Sequence, residues 1–145
     1  MRINNKFNNY KTSFNGIDKK ETKMTEKNED MKFLLNACKE GLHNAAELKV
    51  PENGQFGRVS VGFVIPDSNN KGLLYITHSE ENPKTQRLLS VGVHHKNSDR
   101  VISNLLLDGN KQEILEYLKS EENTQSIVDI INGLSDKTDE FYSSL

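Results

Sequence analysis

Four short β-rich runs, joined by connections too short for a crossover, constrain this chain more than any other feature. The run from Arg58 to Ile65 alternates Val59, Val61, Phe63 and Ile65 with Arg58, Ser60, Gly62 and Val64. Pro66-Asp67-Ser68-Asn69-Asn70-Lys71-Gly72 then turns the chain into Leu73 to His78. A polar loop containing Pro83 leads to Arg87 through His95, and Lys96-Asn97-Ser98-Asp99 leads to Arg100 through Leu107. Parallel neighbours need crossovers of roughly a dozen residues or more. Turn-rich links of this length instead favour an antiparallel meander in the order 1-2-3-4.

Helical patterning flanks the meander on both sides. Asp30 is a suitable N-cap for a helix carrying Met31, Leu34, Leu35, Cys38, Leu42 and Ala45, spaced as one amphipathic face. Gly41 weakens that helix, Pro51 blocks its extension past Val50, and residues 51–57 read as a loop. After the fourth run, Asn110 and Glu113 form a capping-box pattern ahead of Ile114, Leu115 and Leu118. Ser120 caps a last helix carrying Ile127, Ile130, Ile131, Leu134, Thr138 and Phe141, in which Gly133 marks a possible kink or early end. The expected fold is α+β: an N-terminal helix, a four-stranded antiparallel meander, and two C-terminal helices packed on the sheet.

Composition divides the chain at Glu29. Residues 1–29 contain seven basic and four acidic side chains, so they carry +3, and the body from Asp30 to Leu145 carries -5 of the total -2. Their apolar residues follow no sustained period, which points to a disordered polar tail preceding a single domain over 30–145. Phe7, Tyr10 and Phe14 would share one side of a helix formed on a partner, and Met24 is an alternative start codon. No apolar run approaches the roughly 18 residues of a membrane span. The lone Cys38 excludes an internal disulfide framework, and together these features suggest a cytoplasmic protein.

Chemistry-bearing residues collect at the two ends of the expected sheet. One end gathers Arg58, His78, Glu80, Arg87 and Asp108; the other gathers Asp67, Lys71, His94, His95, Asp99 and Arg100. Successive strand residues point to opposite faces, so His94 and His95 are poorly placed to share a metal, and His78 lies at the far end of the strands. A three-histidine zinc site therefore fails on geometry. Each end would suit an anion or a single ion with water in its shell, or consist of solvated strand ends. The chain lacks Gly-x-Ser-x-Gly, P-loop, dinucleotide-binding and His-Glu-x-x-His patterns, and Cys38 sits on an apolar helix face. No catalytic residue, metal or cofactor is assigned.

The sheet itself carries a different signal. The second run is apolar on both faces, Leu73 and Tyr75 on one and Leu74 and Ile76 on the other. The fourth sets Val101, Leu105 and Leu107 against Ile102 and Leu106. A sheet covered on one side should be polar on the other. Either the first helix covers the second face, the favoured account, or a partner or second copy does. Gly62 and Gly92, in the repeated tripeptides Ser60-Val61-Gly62 and Ser90-Val91-Gly92, leave gaps expected to receive Tyr75. The repeat is too short to establish a duplication.

The functional expectation is a non-enzymatic interaction module binding another protein or pairing with itself. The alternative is a small-ligand or metal-binding domain, or an enzyme, using one polar edge. Nucleic-acid binding is disfavoured by the acidic body and by Lys111-Gln112-Glu113 at the helix after the meander. In size, acidity and mixed content alone the chain resembles type III secretion chaperones; four consecutive strands depart from that pattern.

Overall fold

In the computed structural model the described residues are 15–47 and 58–145, with side chains described over 24–43 and 58–145. The order is α1 (Asn15–Glu47), β1 (Val59–Val64), β2 (Asn70–His78), β3 (Arg87–His95), β4 (Ile102–Gly109), α2 (Lys111–Lys119) and α3 (Glu121–Ser143). The strands form one antiparallel sheet in the order β1-β2-β3-β4. The expected α+β architecture is the observed one.

Register settles which side chains share a face. Val61, Leu74 and Val91 align across three strands, as do Phe63, Gly72 and Val93. These side chains turn toward the helices, and Leu74, Val91 and Val93 are fully buried. Met31, Leu35, Cys38 and Leu42 of α1 join the same cluster, with Ile114 and Leu118 of α2 and Ile127, Val128, Ile131 and Leu134 of α3. An added Cβ at Gly41 would come within 3.1 Å of Val61 Cγ2, so glycine lets α1 lie close on β1. Gly72 sits beneath the buried ring of Phe63, the neighbouring strand filling the missing side chain.

All three helices therefore cover one side of the sheet. This corrects the favoured expectation that the first helix covers the second face. A helix with one apolar stripe must bury it against other apolar surface, and the stripe Met31–Leu42 shares one cluster with α2 and α3.

Three further details differ from the sequence reading. The first helix begins at Asn15, so Asp30 lies in its interior and half of the polar stretch 1–29 is helical. Propagation from a docked segment is cheaper than nucleation, and the stretch before Asp30 supplies the helix formers Lys19, Lys20, Glu21, Lys23, Met24, Glu26 and Lys27. Asn132 Nδ2 donates to Asn28 Oδ1 at 3.1 Å, tying this extension to α3. Residues 1–14, with Phe7, Tyr10 and Phe14, and the loop expected at 51–57 lie outside the described residues.

Second, the β3–β4 register shifts between Leu89 and Ser90, which pair with Leu107 and Leu105. Leu106 is the extra residue, so Leu106 and Leu107 both pack on the core while Leu105 faces away. Leu105 and Leu107 thus do not share a face as strict alternation predicts. Third, Gly133 does not end α3, which continues to Ser143.

The capping expectations at Asn110 and Ser120 agree with the structure, whereas Asp30 caps no helix. Glu113 N–H donates to Asn110 Oδ1 and Asn110 N–H to Glu113 Oε1, both at 2.9 Å, closing the capping box of α2. Ser120 Oγ accepts from Asn123 N–H at the start of α3.

Candidate functional site

The polar groups at the Arg58 end of the sheet do not converge. Arg58 stands over the Tyr75 ring, 5.0 Å from its centroid, on the face away from the helices. Asp108 is aligned with Leu88 on that same face, but on the opposite edge strand. His78 and Arg87 are aligned with each other on the helix side. Arg87 is buried and donates from Nη1 to the carbonyls of Pro83 and Gln86, at 3.1 and 3.2 Å. It thereby closes the loop between β2 and β3, which is a structural employment for the guanidinium.

The other end divides in the same way. His94 Nδ1 lies 2.8 Å from the carbonyl oxygens of both His95 and Ser98. Two acceptors require a donor, which places the proton of the neutral ring on Nδ1. His95 Nδ1 instead accepts from Asn97 N–H at 3.1 Å, and its ring stacks on Tyr142 of α3 at 4.3 Å. Adjacent histidines thus serve opposite faces, with opposite tautomers. Arg100 stacks over Phe141, 4.5 Å from the ring centroid, and exposed Asp99 lies in the turn between β3 and β4. Among the described residues no group of three His, Cys, Asp or Glu side chains is placed to hold a metal ion.

Two polar features in the helical layer escaped the sequence reading. Asn70 is buried at 1% exposure and donates from Nδ2 to Ser135 Oγ at 2.8 Å and Asp139 Oδ1 at 2.9 Å, holding the β1–β2 turn on α3. Asp67 in that turn has a left-handed backbone (φ 55°), which Asp tolerates better than most residues. Lys39 of α1 donates to Thr124 Oγ1 at 2.6 Å, and desolvation lowers its pKa while the carboxylate of Glu121 opposes that shift. Lys39 and Glu121 border an open cleft of about 270 Å³ between α1 and α2, with Glu40, His43, Leu115 and Lys119. Its charges are mixed and mutually compensating. None of these contacts has a local sequence signal, because each joins residues far apart in the chain.

A coherent apolar surface lies on the sheet face opposite the helices. Leu73, Tyr75, Leu88, Val101 and Leu105 line it with Val64, and Ser60, Gly62, Ser90, Gly92 and Ser103 lie between them. Val64 is 61% exposed and Leu105 58%. The glycine gaps are not filled by Tyr75, whose register places it between Ser60 and Ser90. Leu73 lies beside Gly62 and Val101 beside Gly92, with side-chain carbons 3.2 and 2.6 Å from where a Cβ would stand. Double-sided apolarity of the second strand was the readable signal for this surface; its extent required the register.

Among the described residues no helix is long and apolar enough to cross a membrane. Comparisons with family models, curated proteins and solved structures find no match.

Proposed function

We propose that this chain is a non-enzymatic, cytoplasmic interaction module that docks a protein surface on the open face of its sheet. One observation carries the reading: a four-stranded face with no helix on it among the described residues presents Val64, Leu73, Tyr75, Leu88, Val101 and Leu105, where solvent exposure alone would select polar residues. Contiguous apolar surface of this kind marks interaction sites on ordinary soluble domains. Division of Arg58, His78, Arg87, Asp108, His94 and His95 between the two faces, with Asp99 in the β3–β4 connection, leaves the small-ligand alternative without a converging constellation.

Site-specific photo-crosslinking tests the reading. A benzoylphenylalanine at Leu105, on the open face, is compared with one at the exposed Glu122 at the start of α3. With the chain at native abundance in its source cells, discrete protein adducts are expected from position 105 and not from 122. Absence of adducts at 105, or equal yields at both positions, refutes the proposal.

A further inference from the structure

We infer that the occupant of the open face is a second copy of this chain, stacked sheet on sheet about a two-fold axis that runs along the strands between β2 and β3. The inference rests on the open face being a docking surface, and it names the partner. Three observations lead to it: the size pattern of the rows, the charges at one end, and the dimensions of the face.

The rows running across the strands mix large and small side chains, with β1 and β3 contributing the small ones. One row reads Ser60, Tyr75, Ser90, Leu105 from β1 to β4, and the next reads Gly62, Leu73, Gly92, Ser103. A two-fold along the strands reverses the order of each row in the second copy. Tyr75 then meets Ser90 and Leu105 meets Ser60, large against small, while in the next row Leu73 meets Gly92 and Gly62 meets Ser103. Leu73 and Val101 already lean toward Gly62 and Gly92, so the deepest relief is at Ser60 and Ser90. A two-fold across the strands would instead set β2 on β2, large on large, and leave the small residues of β3 facing each other. The tripeptide repeat Ser-Val-Gly supplies small residues on both sides of β2, as the first arrangement requires.

Charge follows the same symmetry. Arg58 and Asp108 lie at one end of the face on opposite edge strands. Three strand spacings, about 14 Å, keep them from pairing within a chain. Reversal of row order sets Arg58 of each copy against Asp108 of the other, giving two ion pairs. At the far end Val64 meets Val101, and Lys71 meets the imidazole of His94.

Four strands at about 4.8 Å spacing and seven residues at about 3.3 Å give a flat footprint of roughly 400 Å² per copy. The pair thus covers about 800 Å² before side-chain relief is added, near the lower margin of roughly 1,000 Å² for a stable interface. A dimer with micromolar affinity is expected.

Sedimentation velocity of the full chain tests this, comparing wild type with Arg58→Asp, Asp108→Arg and the double variant. Both positions are exposed, and far-UV circular dichroism checks each fold. Wild type should pass from monomer to dimer below about 200 µM. Each single reversal replaces two attractions by two repulsions and should weaken the dimer roughly 10- to 30-fold, whereas the double reversal should return within about threefold of wild type. A chain monomeric through that range, a dimer indifferent to either reversal, or single losses without recovery in the double variant each overturns the inference. Adducts from position 105 to other proteins, with a monomeric chain, would sink self-pairing and leave the docking-face reading standing. No adducts at 105 would remove both.

Discussion

Replacing Asn70 with Ala probes the contact that fastens the β1–β2 turn to the last helix. The side chain has two N–H groups, shared among Ser135 Oγ at 2.8 Å, Asp139 Oδ1 at 2.9 Å and the Ser135 carbonyl at 3.3 Å. A neutral hydrogen bond contributes about 1 kcal/mol net, and one to an ionised carboxylate about 1.5–3 kcal/mol. Asp139 is exposed and regains water when the amide is removed, which trims its share. Ser135 is buried and retains only a 3.5 Å approach to Ser68 Oγ, so its hydroxyl is left poorly satisfied. The expected net loss is about 2–3 kcal/mol, a fall in Tm of roughly 8–12 °C for a domain of this size. Urea denaturation followed by circular dichroism measures it, with an unchanged m-value showing that the two end states are preserved. Asn69→Ala, at an exposed neighbour, should change stability by no more than about 0.5 kcal/mol. Asn70→Asp should be worse than Asn70→Ala at neutral pH, because a carboxylate then faces Asp139 without a proton to donate. Burial and repulsion raise the folded-state pKa of that new carboxyl, so the deficit should shrink as pH falls and the acid form becomes a donor. A loss below about 0.5 kcal/mol for Asn70→Ala would refute the view that this amide holds the turn on α3.

Other consequences are simpler. Gly133 is exposed in the interior of α3 with nothing within 4 Å of an added Cβ, so Gly133→Ala should stabilise by about 0.5–1 kcal/mol in the same urea assay. Gly72→Ala should destabilise by about 1–3 kcal/mol, because its Cβ would fall 2.4 Å from Phe63 Cζ and push out a buried ring; the near-ultraviolet aromatic signal reports the displacement. Burial raises the pKa of the Cys38 thiol above its usual 9.0. The unfolded chain therefore ionises first, and the contribution of Cys38, fully present below about pH 9, is lost as pH rises toward the folded-state value. Lys39, whose pKa is lowered by desolvation, acts in the opposite sense, since stability rises with pH between its lowered value and 10.5. Chemical denaturation from pH 8 to 10.5 should show Cys38→Ala lacking the alkaline fall relative to wild type, and Lys39→Met lacking the rise.

Local features of the sequence were sufficient for the element order. The capping box at Asn110 and Glu113, the Ser120 cap and the turn-rich links between strands act within a few residues, so the chain displays them directly. The candidate polar ends were legible as positions along strands, and the opposed faces of His94 and His95 followed from alternation alone. Convergence was not legible. Arg58 belongs to one face through Tyr75, while Arg87 turns to the other and closes its own loop. Asn70, Lys39 and His95 gained their roles from partners on α3 that lie 65, 85 and 47 positions away in sequence.

By itself the sequence determined an antiparallel meander between helices and a strand apolar on both sides, because turn chemistry, capping and side-chain period are short-range properties. Tertiary structure decided which side the helices take, where α1 begins and how the bulge at Leu106 sends Leu105 outward while turning Leu107 inward. Those outcomes depend on register and on competition for a shared core, in which the stripes of α1, α2 and α3 join one cluster. The same competition leaves the second face of the sheet bare among the described residues, with Val64 and Leu105 at its opposite edges.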